Sequence, residues 1–321
     1  MPDYIFKTYI DSGREYYEYT DVTDREQTIK KDFPFPESLM DLLYMDTQEL
    51  EAITRKMDKA LLAFCQSGAK DDLQVVAAGL NELASRHVYF ELLRLDWTER
   101  LKAAERVTPK EYLRLLPHKK ISHIYSNIDT MQRQIISLIA HALDMDGEKK
   151  SVSEKMVAYY NAEGNDTLYT FQFQPQPVNF EVIDRRIFAE VLYPKDIYDL
   201  IDHHIRECVK REVRMRVCKN CLRYFAVTGK ASTEYCDRIC DSKGRTCREI
   251  GAINTWTQRK QGDEVFKEYR REYKKRFARI NAGKLTKSVF YAWSEEARKK
   301  KEDCDNGTIT PEDFSRWLKE S

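Results

Sequence analysis

Apolar residues recur every three or four positions through most of the chain, and that period predicts helices. Leu50, Ile53, Met57, Leu61 and Phe64 form one stripe, which Gln66-Ser-Gly-Ala69 ends. A second pattern runs from about Asp71 toward Leu95, and a third is carried by Ile124, Ile128, Met131, Ile135 and Leu138. Thr108-Pro109-Lys-Glu111 marks a helix start: Thr caps, Pro fits the first position and Glu can bond back to the cap. Such stripes read as the buried faces of a helical bundle. From Pro194 a helix carries Ile197, Leu200, Ile201, Ile205 and Cys208 toward the cysteine-rich stretch. Another, from about Asp263 to Ile280, places Phe266, Tyr269, Tyr273, Phe277 and Ile280 on one face. Arg270, Arg271, Lys274, Lys275 and Arg279 lie mostly on the other. The end, Phe290 through Leu318, reads as two helices joined by Asp305-Asn-Gly307.

Alternation of period two is confined to short pieces. Tyr4 to Ile10 and Tyr16 to Tyr19, joined at Ser12-Gly13, predict a β-hairpin. Phe33-Pro-Phe-Pro36 predicts a rigid extended segment. Residues 144–167 are polar and turn-rich around a short helix, after which Tyr169, Phe171 and Phe173 alternate with polar residues as a strand ended by Pro175 and Pro177. The expected fold class is mainly α. It comprises a helical N-terminal domain with minor β-hairpin elements (1–182), a helix plus a treble-clef-like zinc-finger module (183–260) and a basic C-terminal helical tail (261–321).

Six of the eight cysteines fall between Cys208 and Cys247. Cys218-Lys-Asn-Cys221 followed about fifteen residues later by Cys236 is spacing that suits tetrahedral Zn²⁺, two thiolates per turn. A short hairpin, Tyr224-Phe-Ala-Val, Thr228-Gly229 and Glu234-Tyr235, is expected before Cys236. The fourth ligand is Cys240 or Cys247. Cys247 is favoured because it opens a helix whose N–H groups and dipole stabilise a thiolate. Hairpin followed by helix is also the treble-clef arrangement. Four thiolates close the coordination sphere, so the Zn²⁺ is expected to be structural. Lys219, Arg223, Arg238, Arg245 and Arg248 are placed to offset the negative charge of such a centre.

Composition narrows the picture further. The chain is 42% hydrophobic and 33% charged, with 11 glycines and 9 prolines in 321 residues, which favours a helix-rich globular protein. No apolar run is long enough for a membrane span, and the N-terminus lacks a secretory-signal layout, so a cytoplasmic location is expected. The net charge of +1 hides a division: residues 205–301 hold 27 Lys and Arg against 12 Asp and Glu, and the remainder 27 against 41. Such asymmetry bears on partners rather than on fold.

Cys218-Lys-Asn-Cys221-Leu-Arg-Tyr-Phe225, Tyr235-Cys-Asp237 and Thr246-Cys-Arg-Glu249-Ile-Gly251 resemble an uncharacterised bacterial family, a domain of unknown function with a single zinc-finger-like motif. The resemblance covers about residues 190–321. It implies Cys218, Cys221, Cys236 and Cys247 as the metal set, with Cys240 outside the motif. Leu222 stands where the family pattern has Gly. More distantly, the layout is similar to CGNR-type zinc-finger proteins regarded as transcriptional regulators, although the Gly-Asn-Arg itself is absent.

Three other features are discounted. Asp303 to Asp313 is out of register for a calcium loop and reads as a helix–turn–helix junction. Adjacent His203 and His204 point about 100° apart on a helix, poor geometry for one metal, and read as surface or packing residues. Cys65 and Cys304 read as ordinary buried thiols. No phosphate loop, nucleophile elbow or zinc-protease motif is present. The expectation is therefore a non-enzymatic, zinc-stabilised protein that binds DNA or RNA, with Arg245, Arg248, Arg270, Arg271, Lys274 and Lys275 on phosphates. The alternative is an interaction scaffold whose basic face docks on an acidic protein partner or on its own N-terminal domain.

Overall fold

The computed structural model describes residues 4–24, 26–162, 170–261 and 264–321. Tyr169 and the expected loop at 163–167 lie outside the described residues, as does the expected helix start at Asp263. The chain forms two compact units, Met1–Val217 with Arg223–Thr233, and Cys218–Leu222 with Glu234–Ser321.

The first unit opens with the expected hairpin, β1 (Phe6–Asp11) and β2 (Arg14–Thr20). Ser12 and Gly13 both have positive φ, 48° and 76°, the turn geometry that matches the twist of tightly joined strands. The β content is larger than the minor hairpins expected. A third strand, β3 (Thr28–Pro34), pairs with β2, and a second hairpin, β4 (Val178–Ile183) with β5 (Ile187–Leu192), completes a sheet ordered β3-β2-β1-β5-β4. Every pairing is antiparallel, and β1 meets β5 at Thr8↔Leu192 and Tyr9↔Val191. The β4–β5 turn uses Asp184 and Arg185 at positive φ with no Gly or Pro, so it carries no conventional turn signature. Pro34 is tolerated because β3 is an edge strand.

The helices are α1 (Glu37–Leu42), α2 (Thr47–Ser67), α3 (Lys70–Arg86), α4 (Tyr89–Ala104), α5 (Pro109–Leu115), α6 (Lys119–Ser122), α7 (Ile124–Leu138), α8 (Val152–Asn161) and α9 (Ile197–Lys210); a π-turn at Ile139–Leu143 extends α7. The apolar stripe of α2 is buried as its period requires, and Gly68 ends the helix in the left-handed conformation, φ 70°. The single pattern expected from Asp71 toward Leu95 is two helices. His87 breaks it with an extended backbone, φ −155° and ψ 140°, and its ring bonds to the Ser38 carbonyl, 2.8 Å, and the Tyr89 N–H, 3.2 Å.

The strand expected around Phe171 and Phe173 is not a strand. Phe171 is buried and Phe173 half-buried, but the backbone bonds to side chains rather than to a neighbouring strand. The Phe171 N–H donates to Tyr159, its carbonyl accepts from Tyr160, and the Gln174 N–H donates to Asp202. Alternation thus reports an extended chain, whose hydrogen bonds need not come from a sheet.

One polar chain ties sheet to helices inside the core. The Tyr17 hydroxyl lies 2.7 Å from both Ser38 Oγ and His204 Nε2, and Ser38 Oγ lies 3.1 Å from the Tyr89 hydroxyl. His204 Nε2 also faces Glu15 at 3.3 Å, both side chains fully buried. His203 is buried as well, so this pair is internal rather than on the surface.

In the second unit, α10 (Cys247–Gln261) is followed by α11 (Glu264–Asn281), α12 (Lys287–Asp305) and α13 (Pro311–Glu320). Phe290, Trp293, Ala297, Phe314 and Leu318 are its buried apolar cluster, against which Val265, Tyr269, Tyr273 and Ile280 pack. Gly307 at φ 74° ends the α12 turn, and Thr310 caps α13, so Asp303–Asp313 is a helix junction. No helix among the described residues is long and apolar enough to cross a membrane.

Candidate metal centre

Two short segments and one helix start bring four sulfurs together. Cys218 and Cys221 occupy a tight knuckle in which the Leu222 N–H donates to the Cys218 carbonyl, 2.9 Å. The knuckle joins β6 (Met215–Val217) to β7 (Tyr224–Ala226), which pair antiparallel. The hairpin at Tyr224 therefore lies around the knuckle, not after it. Tyr224–Ala226 takes its hydrogen bonds from Met215–Val217, and residues 228–233 form a loop. The Lys219 N–H donates to the Glu234 carbonyl, 3.0 Å, and so holds the knuckle against the segment that carries Cys236.

Cys247 is placed by a cap. The Thr246 N–H donates to Glu249 Oε2, 2.7 Å, and the Glu249 N–H donates to Thr246 Oγ1, 3.3 Å, a reciprocal capping box. Thr-Cys-Arg-Glu is thus a helix-start signature that fixes a cysteine in the first turn. Gly251 one turn later lets α10 pack closely: a Cβ there would lie 2.7 Å from Tyr235 Cε1 and 3.1 Å from Asn220 Cβ. Asn220 was not singled out from the sequence. Its Nδ2 donates to Cys247 Sγ, 3.2 Å, and its Oδ1 accepts from Asn254, 3.1 Å.

The ligand atoms of Cys218, Cys221, Cys236 and Cys247 all lie within 4.8 Å of one another, and Cys221 and Cys236 are 3.7 Å apart. A tetrahedral ion with bonds of about 2.3 Å requires sulfurs about 3.8 Å apart, which the Cys221–Cys236 pair matches, and the four together are close enough to hold such an ion. Cys240 is outside the group. Its Sγ faces the Arg245 carbonyl at 3.4 Å, in a loop closed by the Ile239–Thr246 bridge.

The electrostatics call for a cation. Burial pushes the Cys218 thiol up, but N–H groups of Cys221, Cys236 and Asn220 outweigh it and hold the pKa at about 7. Cys236 is pushed up to about 11, by burial first and then by the neighbouring Cys218 and Cys221 sulfurs. Burial first, and then the Cys236 and Cys218 sulfurs, push Cys247 well up, against the Asn220 amide. Sulfurs gathered this closely cannot all carry negative charge unless a positive charge lies among them, and a soft divalent metal supplies it. The donor set therefore fits a metal ion.

Of the five cations expected to offset the centre, Arg238 reaches a sulfur, with Nη1 3.8 Å from Cys236 Sγ. Lys219 pairs with Glu234 and Arg223 stacks over Tyr44. Arg245 is held by Asp241, with Nε 2.7 Å from Oδ2, and Arg248 by Asp237, also at 2.7 Å. Those two, proposed as phosphate contacts, are already paired with carboxylates. On α11, Arg270, Arg271, Lys274 and Lys275 are exposed, and Lys275 pairs with Glu272 at 3.2 Å. The four span about 140° of the helix surface at 100° per residue. Phe277, expected on the buried face, is 49% exposed, although its ring still meets Phe290.

Residues 168–320, which contain all four cysteines, match the model of a family of unknown function (DUF6076). No curated protein and no solved structure matches the chain.

Proposed function

We propose that this is a non-enzymatic protein in which a structural Zn²⁺, held by Cys218, Cys221, Cys236 and Cys247, shapes a treble-clef-like module, and that the basic residues beside it bind nucleic acid. The convergence of four sulfurs within 4.8 Å carries the metal half of this reading. A closed four-thiolate site has no open position for water or substrate, which argues for structure rather than catalysis. The surplus of 27 basic over 12 acidic residues between 205 and 301 supports the nucleic-acid half. Arg270, Arg271 and Lys274, exposed on α11, are its best phosphate contacts; Arg245 and Arg248 would first have to leave Asp241 and Asp237.

Elemental analysis of the purified protein should find one zinc per chain, lost in Cys247→Ser and kept in Cys240→Ser. Mixed-sequence DNA and RNA should be shifted at low salt, with affinity falling steeply as salt rises. Reversing Arg270, Arg271 and Lys274 to Glu should flatten that dependence. Retained zinc without any binding at low salt would end the nucleic-acid reading and leave an acidic protein partner.

A further inference from the structure

The first unit contains a cleft of about 380 Å³ that neither the metal centre nor the basic helix uses. Its size falls within the range of small-molecule sites, roughly 300–1,000 Å³. Half-buried Leu93 of α4 and Tyr198 of α9 contribute the accessible apolar floor, while Leu92, Trp97, Ile124 and Ile197 are buried among the lining residues. Exposed Lys119, Lys120 and Lys195 stand among the lining residues above it.

The carboxylates of the cleft are already committed. Asp96 takes two bonds from Arg100, at 2.7 and 3.2 Å. Asp196 caps α9, accepting from the N–H groups of Tyr198 and Asp199 at 2.9 and 3.2 Å. Lys119, Lys120 and Lys195 have no carboxylate partner among the described residues. Three like charges gathered at a concave apolar surface repel one another and focus a positive field into the cleft, and an anion relieves both effects. Asn127 Nδ2 donates to the Tyr198 hydroxyl oxygen, 2.7 Å, which leaves that O–H as a further donor.

We propose that this cleft binds a small amphipathic anion, a molecule with a flat apolar body against Leu93 and Tyr198 and one carboxylate, phosphate or sulfonate among the three lysines. A neutral molecule of the same shape would leave the lysines uncompensated, and a simple inorganic anion would leave the apolar floor wet.

Two dyes with one skeleton test this on the full chain: 1-anilinonaphthalene-8-sulfonate and the uncharged N-phenyl-1-naphthylamine. The sulfonate should bind saturably, one per chain. Lys119→Glu, Lys120→Glu and Lys195→Glu together should weaken it by about tenfold and shift the neutral dye by less than about twofold. Asn127→Trp, which fills the cleft, should abolish the binding of both dyes, with circular dichroism confirming that each variant is folded. Sulfonate binding unchanged in the triple variant, or surviving Asn127→Trp, would overturn the proposal by placing the dye on other apolar surface. Absence of saturable sulfonate binding to the native chain would overturn it equally.

Discussion

Leu222 holds a left-handed backbone, φ 59°, with its side chain 77% exposed, at the point where the knuckle turns away from Cys221. A non-glycine residue in that region costs about 1–2 kcal/mol, and its exposed side chain recovers little by packing. Glycine would adopt this backbone without that cost. Glycine is itself freer in the unfolded chain by about 0.5–1 kcal/mol, so Leu222→Gly should stabilise the metal-loaded protein by no more than about 1.5 kcal/mol. Denaturant unfolding measures this, and a loss of stability would show that the strain is only apparent. His87 makes a second prediction. Burial drives its pKa from 6.5 down to about 4, against the Ser38 carbonyl, which favours the charged form, and with nearby His204 adding to the depression. The unfolded chain takes up this proton near pH 6.5 and the folded one only near 4. Stability is therefore full above about pH 6.5 and falls by up to about 3 kcal/mol as the pH drops to about 4. His203, also pushed down by burial, acts in the same direction. His87→Gln, neutral at every pH, should make the urea midpoint fall less between pH 6.5 and 4 than in the native chain.

At the scale of elements, α10 positions the last sulfur, and its placement depends on groups that are not ligands. Asn220 bonds both Cys247 Sγ and Asn254, and Gly251 gives Tyr235 and Asn220 room against the helix. Outer contacts of this kind typically change metal affinity by about 10- to 100-fold. Asn220→Ala should weaken metal binding within that range while the one-to-one stoichiometry holds, and competition with a chromophoric chelator measures it. Gly251→Ala should weaken it too, because the added Cβ would collide with the Tyr235 ring. An unchanged affinity in both would mean that the cysteines set the cage alone. The sulfur set was legible because Cys-x-x-Cys and a helix-start cysteine are local patterns, and the Thr246–Glu249 capping box was available from the same letters. Asn220 was not legible, because nothing in the sequence aims an amide at a sulfur 27 residues away. The α2 and α9 stripes were legible for the same reason as the cysteines: each repeats over several turns. The β4–β5 hairpin was missed because its turn is Asp184-Arg185 and three of its large apolar residues, Phe180, Val182 and Phe188, face solvent. The break at His87 was missed because it depends on Ser38, which is distant in sequence.

Across the whole molecule, the two compact units differ in what holds them. The large core runs from Phe6 to Met215, and every residue of it belongs to the first unit. The second unit has a smaller apolar cluster that begins at Phe290, with partners from Val265 onward. The metal segment, residues 218–222 and 234–255, belongs to neither cluster, and its buried residues are Cys218, Cys236, Cys247, Ile250 and Gly251. Three of those five are proposed ligands, so without an ion the segment would have almost no apolar surface to bury and would keep three thiols away from water. Metal release should therefore unfold this segment and leave the first unit intact. Hydrogen exchange before and after treatment with a strong chelator should show protection lost from residues 218–222 and 234–255, while α2, α4 and α9 keep theirs. Because α11, α12 and α13 bury their own aromatic cluster, they should retain part of their protection. Exchange that rises uniformly along the chain would mean that the two units fold as one. Exchange that does not rise at the cysteines would mean that the sulfurs hold their positions without an ion.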